Sequence, residues 1–333
     1  MTSPQQRAAG ALYGLAVGDA LGMPTESLPR AEIVARYGPL VDSFRPGPPD
    51  QPLAARLPAG TVTDDTEQAL LLAGLIIEGA GVVDETEFAR RLIGWEEEMR
   101  ARGSLSLLGP STRRALAALL AGADVAEAGR FGTTNGAAMR ITPVGIASPA
   151  DDLGLLIDRV VAASRVTHHT GVALAGAAAV AAAVSAGVAG ASVPAATSAA
   201  IAAAGQAAGR GYWVAAADVA ARIGWAAGLT AGLAPQAAID AVYTLVGTSL
   251  ASQESVPAAF AILAAAPDDP WLACRMAASA GGDTDSIGAM AGAIAGACHG
   301  VGAIPAQARA TVSEVNGLRL DEVAAGLLAV RGQ

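Results

Sequence analysis

The chain has 333 residues, 53% of them apolar, 15% charged and 4% aromatic. So little charge beside so much Ala excludes a disordered chain, and a formal net charge of −9 excludes non-specific nucleic-acid binding, which needs a basic surface. All 21 cationic side chains are Arg, so Schiff-base lysines, phosphate-loop lysines and Ser–Lys dyads are excluded as well.

Residues 5–22 (QQRAAGALYGLAVGDALG) predict a helix with small residues on one face. From Pro24 to Pro58 the density of prolines excludes long helices and predicts an irregular segment over 24–62. A strongly apolar helix is expected over 66–79, with Thr63, Asp64 and Asp65 just ahead of it where caps belong. An amphipathic helix follows over 84–101, then a Gly/Ser-rich loop ending in Gly109-Pro110-Ser111-Thr112, then a helix to about Leu120. Residues 130–145 (RFGTTNGAAMRITPVG) read as a Gly-rich loop leading into another element.

Helices are then expected over 152–166, 171–190, 194–208, 213–228, 235–247, 255–265 and 270–280. The segment Gly281-Gly282-Asp283-Thr284-Asp285-Ser286 interrupts them, a helix opens at about Ile287, and a last one covers roughly 320–330. Few alternating strand patterns and no βαβ rhythm are present, and no composition break marks a boundary. The expected fold class is all-α, one compact multi-helix domain over 1–333.

Val166 to Gly209 contains no charged residue and is long enough to span a bilayer. Its Ala, Gly, Val, Ser and Thr content and Pro194 favour a pair of buried helices, so no membrane partner is expected. The N-terminus lacks a basic-then-apolar leader pattern, and Cys274 and Cys298 form neither a metal spacing nor a disulfide framework. A reduced, cytoplasmic protein is the expectation.

Three acidic segments stand out: Glu26 within GDALGMPTE, Thr63-Asp64-Asp65-Thr66-Glu67, and Asp283-Thr284-Asp285-Ser286. Taken alone, TDDTE reads as helix capping favoured by the helix dipole. GGDTDS is harder to explain that way, because a cap needs one carboxylate and this segment has two. Two glycines let the backbone turn sharply ahead of them. Carboxylates and hydroxyls gathered without a neutralising cation favour a bound hard metal, and an all-oxygen set suits Mg²⁺, Mn²⁺ or Ca²⁺ better than zinc.

These segments resemble the ADP-ribosylglycohydrolase family. The matching stretches are GALYGLAVGDALGMPTE (10–26), GTVTDDTEQALLLA (60–73), GPST (109–112), NGAAMRITPVG (135–145), Thr167-His168, ESVPAAF (254–260) and GGDTDSIGAMAGAIAGA (281–297), in the family's order. The resemblance implies a compact all-α enzyme with two divalent cations, Mg²⁺ or Mn²⁺. One cation would be held by Thr63, Asp64, Asp65 and Asp285, the second by Asp283, Asp285 and Ser286. The family usually has Thr where Ser286 stands; losing the β-branch implies a looser second site.

By the same resemblance Thr134, Asn135, Gly136, Ala137, Ala138 and Met139 form the loop that receives a diphosphate, and His168 lies near the distal ribose or phosphate. Read from the residues alone, His168 is a satisfied core histidine. Arg140 reads as a phosphate neutraliser or a structural arginine, and Asp19 as structural or supporting. Glu26 and Asp64 are the candidates for proton transfer. One departure is the segment after Ile304-Pro305, where the family often has a Trp and this chain reads AQARA.

The implied activity is metal-dependent hydrolysis of the glycosidic bond between ADP-ribose and an acceptor, a protein side chain or a small molecule. Three alternatives stand beside it. They are a hydrolase of the same fold acting on a smaller riboside or nucleoside, a crystallin-like member without turnover, and a two-metal phosphatase.

Overall fold

The fold is built on two helices that touch backbone to backbone. The computed structural model describes residues 2–101 and 108–332, and among them there is no β-strand, only the isolated bridges Thr134–Ala251 and Thr170–Tyr212. In chain order the helices are α1 (Pro4–Gly22), α2 (Arg30–Tyr37), α3 (Asp64–Glu78), α4 (Glu85–Ala101), α5 (Pro110–Leu120) and α6 (Val125–Ala128). Next come α7 (Thr142–Ala147), α8 (Leu153–Ser164), α9 (Gly171–Val188), α10 (Val193–Ala207), α11 (Val219–Thr230) and α12 (Pro235–Ala241). The series ends with α13 (Ser252–Ala265), α14 (Pro270–Ala278), α15 (Thr284–His299), α16 (Ala306–Asn316) and α17 (Leu320–Arg331). A π-helical turn, Val242–Val246, extends α12.

The small face expected on α1 packs antiparallel on α15. Gly10, Gly14 and Gly18 meet Gly296, Gly292 and Gly288, and a Cβ added at Gly14 or Gly18 would lie 2.0 Å from a carbonyl oxygen of α15. At the end of this seam a Cβ on Gly22 would lie 2.4 Å from the Asp285 Cα. The seam therefore fixes the start of α15 against the end of α1, which is where the acidic residues stand. Gly18→Ala is expected to lower the melting temperature although Ala favours helix by about 1 kcal/mol, because overpacking costs about 1–3 kcal/mol and here the clash is with backbone. Gly94→Ala in α4, where an added Cβ meets nothing within 4 Å, is expected to raise it. Thermal unfolding of the two variants checks the argument, and equal shifts of the same sign would refute it.

Around this pair, α14 and α17 pack on α1, while α9 and α13 pack on α15. α10 lies along α9, α11 along α13, and α3 against α7 and α17. One continuous apolar core runs from Ala8 to Val330. Within the charge-free stretch, α9 passes the length and hydropathy test for a membrane span, yet 94% of it is buried inside the fold. α10 differs from the expected buried helix: only Val193, Ala196, Ala200, Ala203, Ala204 and Ala207 are buried, and its other face is at least partly open.

Several boundaries depart from expectation. The proline-rich segment holds the short helix α2, entered after Pro29 and closed at Gly38, whose φ is 83°. α11 starts at Val219 rather than 213, with Asp218 as its cap. α16 was not expected; it packs through Ala308 and Val312, and Asn316 at its end accepts from Val62 N (3.1 Å) and donates to Gly60 O (2.8 Å). This helix occupies the place where the family's Trp is absent. Of the Gly/Ser-rich loop expected after residue 101, residues 102–107 lie outside the described residues. Cys274 and Cys298 are both free and buried.

Candidate active site

The N-termini of α3 and α15 converge on one cavity. Thr63 caps α3 by accepting from Asp65 N, so Asp64 and Asp65 fall in its first turn. α15 opens at Thr284, three residues earlier than expected, with Asp283 at the cap and Asp285 and Ser286 in the first turn. The positive ends of both helix dipoles thus face the carboxylates and partly offset their repulsion.

Asp19 of α1 releases the α3 carboxylates from capping. Its carboxylate accepts from Thr63 N (3.0 Å), Thr66 N (3.1 Å) and Thr66 Oγ1 (2.5 Å). With those groups satisfied from another helix, Asp64 and Asp65 project into the cavity. Burial pushes the Asp19 carboxyl up to about 7 against the lowering effect of Thr66.

Glu26 arrives from a single 3-10 turn, Met23–Thr25, after α1. Ser27 N donates to Gly282 O (2.7 Å) and Gly282 N donates to Leu28 O (3.0 Å), lacing this segment to the turn before Asp283. Gly281 and Gly282 both have positive φ, 86° and 74°, which is the sharp turn expected of the two glycines. One carboxylate oxygen from each of Glu26, Asp283 and Asp285 lies within 4.8 Å of the others, a grouping that can hold a metal ion. The Ser286 hydroxyl is 3.5 Å from Asp65 Oδ2, bringing the second and third acidic segments together.

The cavity has a volume of about 190 Å³, with Glu26, Asp64, Asp65, Asp283, Asp285 and Ser286 in its wall. Thr134, Asn135, Gly136 and Met139 form another side, and Leu53, Leu108, Pro110, Thr112, Arg113 and Leu250 complete it. Burial, then neighbouring charge, holds Asp64, Asp65 and Glu26 well above the usual carboxylate range, and the largest charge effect in each case comes from Asp285. Burial and the charge of Asp283 raise Asp285 to about 7. Burial raises Asp283 to about 6, against the hydrogen bond from Asn135. Asp65 Oδ1 and Asp285 Oδ1 are buried with no hydrogen-bond partner. An all-oxygen donor set with two unpartnered oxygens fits a hard divalent cation, and its lack of Cys or His disfavours zinc.

The remaining expected residues are placed differently. Asn135 donates to Ser255 Oγ (2.9 Å) and to Asp283 Oδ2, which ties the Gly-rich loop to the acidic cluster. Ala137 and Ala138 are buried behind the loop, and Thr63 is buried at the helix cap. His168 is fully buried behind the cavity wall and makes its polar contact with that wall through Thr134, whose Oγ1 is 2.9 Å from Nε2. Its ring lies under Gly136, where an added Cβ would come within 2.8 Å of Cε1. Arg140 does not line the cavity. It is buried over the Phe88 ring, 4.9 Å from the centroid, and donates to Gln68 Oε1 (2.7 Å) and Thr167 Oγ1 (2.7 Å).

Sequence reasoning passed over Gln68, Ser255 and Arg113. Gln68 had a usable signal, a polar residue one turn after Asp64 in an apolar helix. Arg113 follows GPST on α5 and had none.

The ADP-ribosylglycohydrolase family matches over residues 1–333. YegU of Escherichia coli K12, whose function is uncharacterised, is 38% identical over 329 residues, 98% of each chain. The ADP-ribosyl-[dinitrogen reductase] glycohydrolase of Rhodospirillum rubrum is 33% identical over 175 residues, 51% of this chain and 54% of its own. A solved structure described as an ADP-ribosylglycohydrolase-related protein complex superposes with a TM-score of 0.71 at 27% identity, covering 99% of this chain and 100% of that one. With a whole-chain match, the shared all-helical fold and acidic segments meeting in one cavity, the chain belongs to the ADP-ribosylglycohydrolase family and is a glycosyl hydrolase.

Proposed function

We propose that this enzyme hydrolyses the bond between C1 of an ADP-ribosyl group and the nitrogen or oxygen of its acceptor, a protein side chain or a small molecule, in a metal-dependent reaction. The observation that carries the reading is the buried acidic cavity, with two carboxylate oxygens that no protein group satisfies. Thr63, Asp64, Asp65, Asp283, Asp285 and Ser286 would hold two divalent cations, Mg²⁺ or Mn²⁺. Bound there, the cations would supply orientation of the ribose hydroxyls and a nucleophilic water.

The chain's own residues account for the rest. Burial, then the charge of Asp285, raises the Glu26 carboxyl above the usual carboxylate range, the direction that suits a proton donor for the leaving atom. Asp64 is held by Gln68 Nε2 at 3.0 Å, which fixes one oxygen and leaves the other for a water proton. The transition state is oxocarbenium-like, and the carboxylates in the cavity wall favour positive charge there. Leu53, Leu108, Met139 and Leu250 give the wall an apolar side.

A second reading, hydrolysis of a smaller riboside or nucleoside, is favoured by the cavity itself. Its volume of about 190 Å³ falls below the roughly 300–1,000 Å³ of sites for drug-sized ligands, and Arg113 is its sole cationic wall residue among the described residues. The two readings separate in one assay. The enzyme with Mg²⁺ or Mn²⁺ is given ADP-ribosyl-arginine, ADP-ribosyl-serine or simple nucleosides, and free ADP-ribose or ribose is measured. Release of ADP-ribose supports the first reading. Ribose release from nucleosides with no ADP-ribose from either conjugate replaces it with the second.

A further inference from the structure

We infer that Arg140, Gln68 and Thr167 are positioning residues that set the direction of every hydrogen bond between Asp64 and Thr134, so that Thr134 presents its hydroxyl proton to the substrate. The inference rests on the reading of the cavity as a riboside site. The chain of contacts is continuous: Asp64, Gln68, Arg140, Thr167, His168, Thr134. Gln68, Arg140, Thr167 and His168 are all fully buried, so no solvent can substitute for a missing partner.

Arg140 makes the chain directional because a guanidinium only donates. On one arm it must face the Gln68 carbonyl oxygen, at 2.7 Å, which leaves the Gln68 amide N–H for Asp64 Oδ2. On the other arm it occupies a lone pair of Thr167 Oγ1, at 2.7 Å. The Thr167 proton then has His168 Nδ1, at 2.7 Å, as its acceptor. Were Nδ1 protonated instead, the buried Thr167 hydroxyl would face two donors and its own proton would have no acceptor among the described residues.

With Nδ1 accepting, a neutral ring carries its proton on Nε2 and donates to Thr134 Oγ1 at 2.9 Å. Burial, then the Arg140 charge, holds His168 well below its usual range, consistent with a neutral ring. Thr134 stands in the cavity wall with a lone pair already taken, and its own proton is free to meet an oxygen of the substrate. The matching ligand chemistry is an acceptor oxygen, on phosphate or on the sugar. One buried arginine thus orients a carboxylate on one side of the cavity and a donor on the other.

Long-range ¹H–¹⁵N correlation of the histidine rings tests this on the folded enzyme without substrate, and only three histidines are present. The expected result is a single neutral Nε2–H tautomer for His168; an Nδ1–H tautomer or an imidazolium overturns the inference. Thr167→Val is expected to disperse that tautomer and to raise KM for ADP-ribosyl-arginine about tenfold with kcat within about twofold, and Thr167→Ser to restore both. A fall in kcat at unchanged KM, or a folded serine variant that restores neither, overturns it. If wild-type enzyme turns over no ADP-riboside, the functional reading fails while the tautomer still decides this one.

Discussion

Asp285→Asn is expected to lower kcat by roughly 10³-fold while leaving a folded protein. Asp285 is the carboxylate whose charge reaches Glu26, Asp64 and Asp65, and one of its oxygens has no protein partner. Asparagine keeps the shape and removes the charge. Without divalent cation the variant is expected to melt at or above the wild-type temperature, since one of several mutually repelling buried charges is gone. Asp283→Asn is expected to behave in the same way, although its hydrogen bond with Asn135 adds a local cost. Steady-state turnover with Mg²⁺ or Mn²⁺, read beside melting curves, checks both variants. Near wild-type turnover in both would remove these residues from the reaction.

Stripped of divalent cations, the enzyme is expected to lose stability as pH rises from about 4 to about 7. Asp283, Asp285 and Asp19 are held at about 6, 7 and 7, all above their unfolded value of about 3.9. A carboxyl raised on folding contributes stability that is fully present below its unfolded pKa and is lost as pH climbs through its folded pKa. The melting temperature of the stripped protein should therefore fall by roughly 5–10 °C across that window. Adding Mg²⁺ should flatten or reverse the slope, because a cation binds the ionised oxygens and excludes their protons. A stripped protein whose melting temperature is flat or rises over this range would contradict the shifts assigned to these carboxyls.

Much of this was legible in the sequence because it is local. The apolar runs, the proline-rich segment and the acidic turns each announce themselves within a few residues. What was hidden depends on partners far along the chain. Asp19 reads only as structural or supporting until α3 is seen to use it as a cap. TDDTE reads as self-capping until that cap frees its two carboxylates. α15 begins at Thr284 rather than Ile287, since Ile287 N already bonds to Asp283 O at 3.1 Å, and Asp283 N is held by Thr248 O at 2.8 Å, a residue no local pattern connects to it. The identity of Arg140 as a hub rather than a phosphate ligand follows from burial alone, which sequence does not record. The short helices α2 and α6 escaped because they are brief and draw much of their stability from neighbours, whereas α16, as long as α5, escaped because only Ala308 and Val312 mark its buried face.

The glycine seam between α1 and α15 has a consequence for how the protein is made. α1 is synthesised well before the helix it fits, which begins more than 260 residues later. Contacts of such sequence separation carry a loop-closure cost and form late. A nascent chain therefore carries α1 with its small face uncovered until α15 has been made. Glu26 and Asp19 come from the early end, Asp283 and Asp285 from the late one. The acidic pocket comes into being only when those ends join, so a truncated product ending before Asp283 keeps Glu26, Asp64 and Asp65 but lacks Asp283, Asp285 and the cavity.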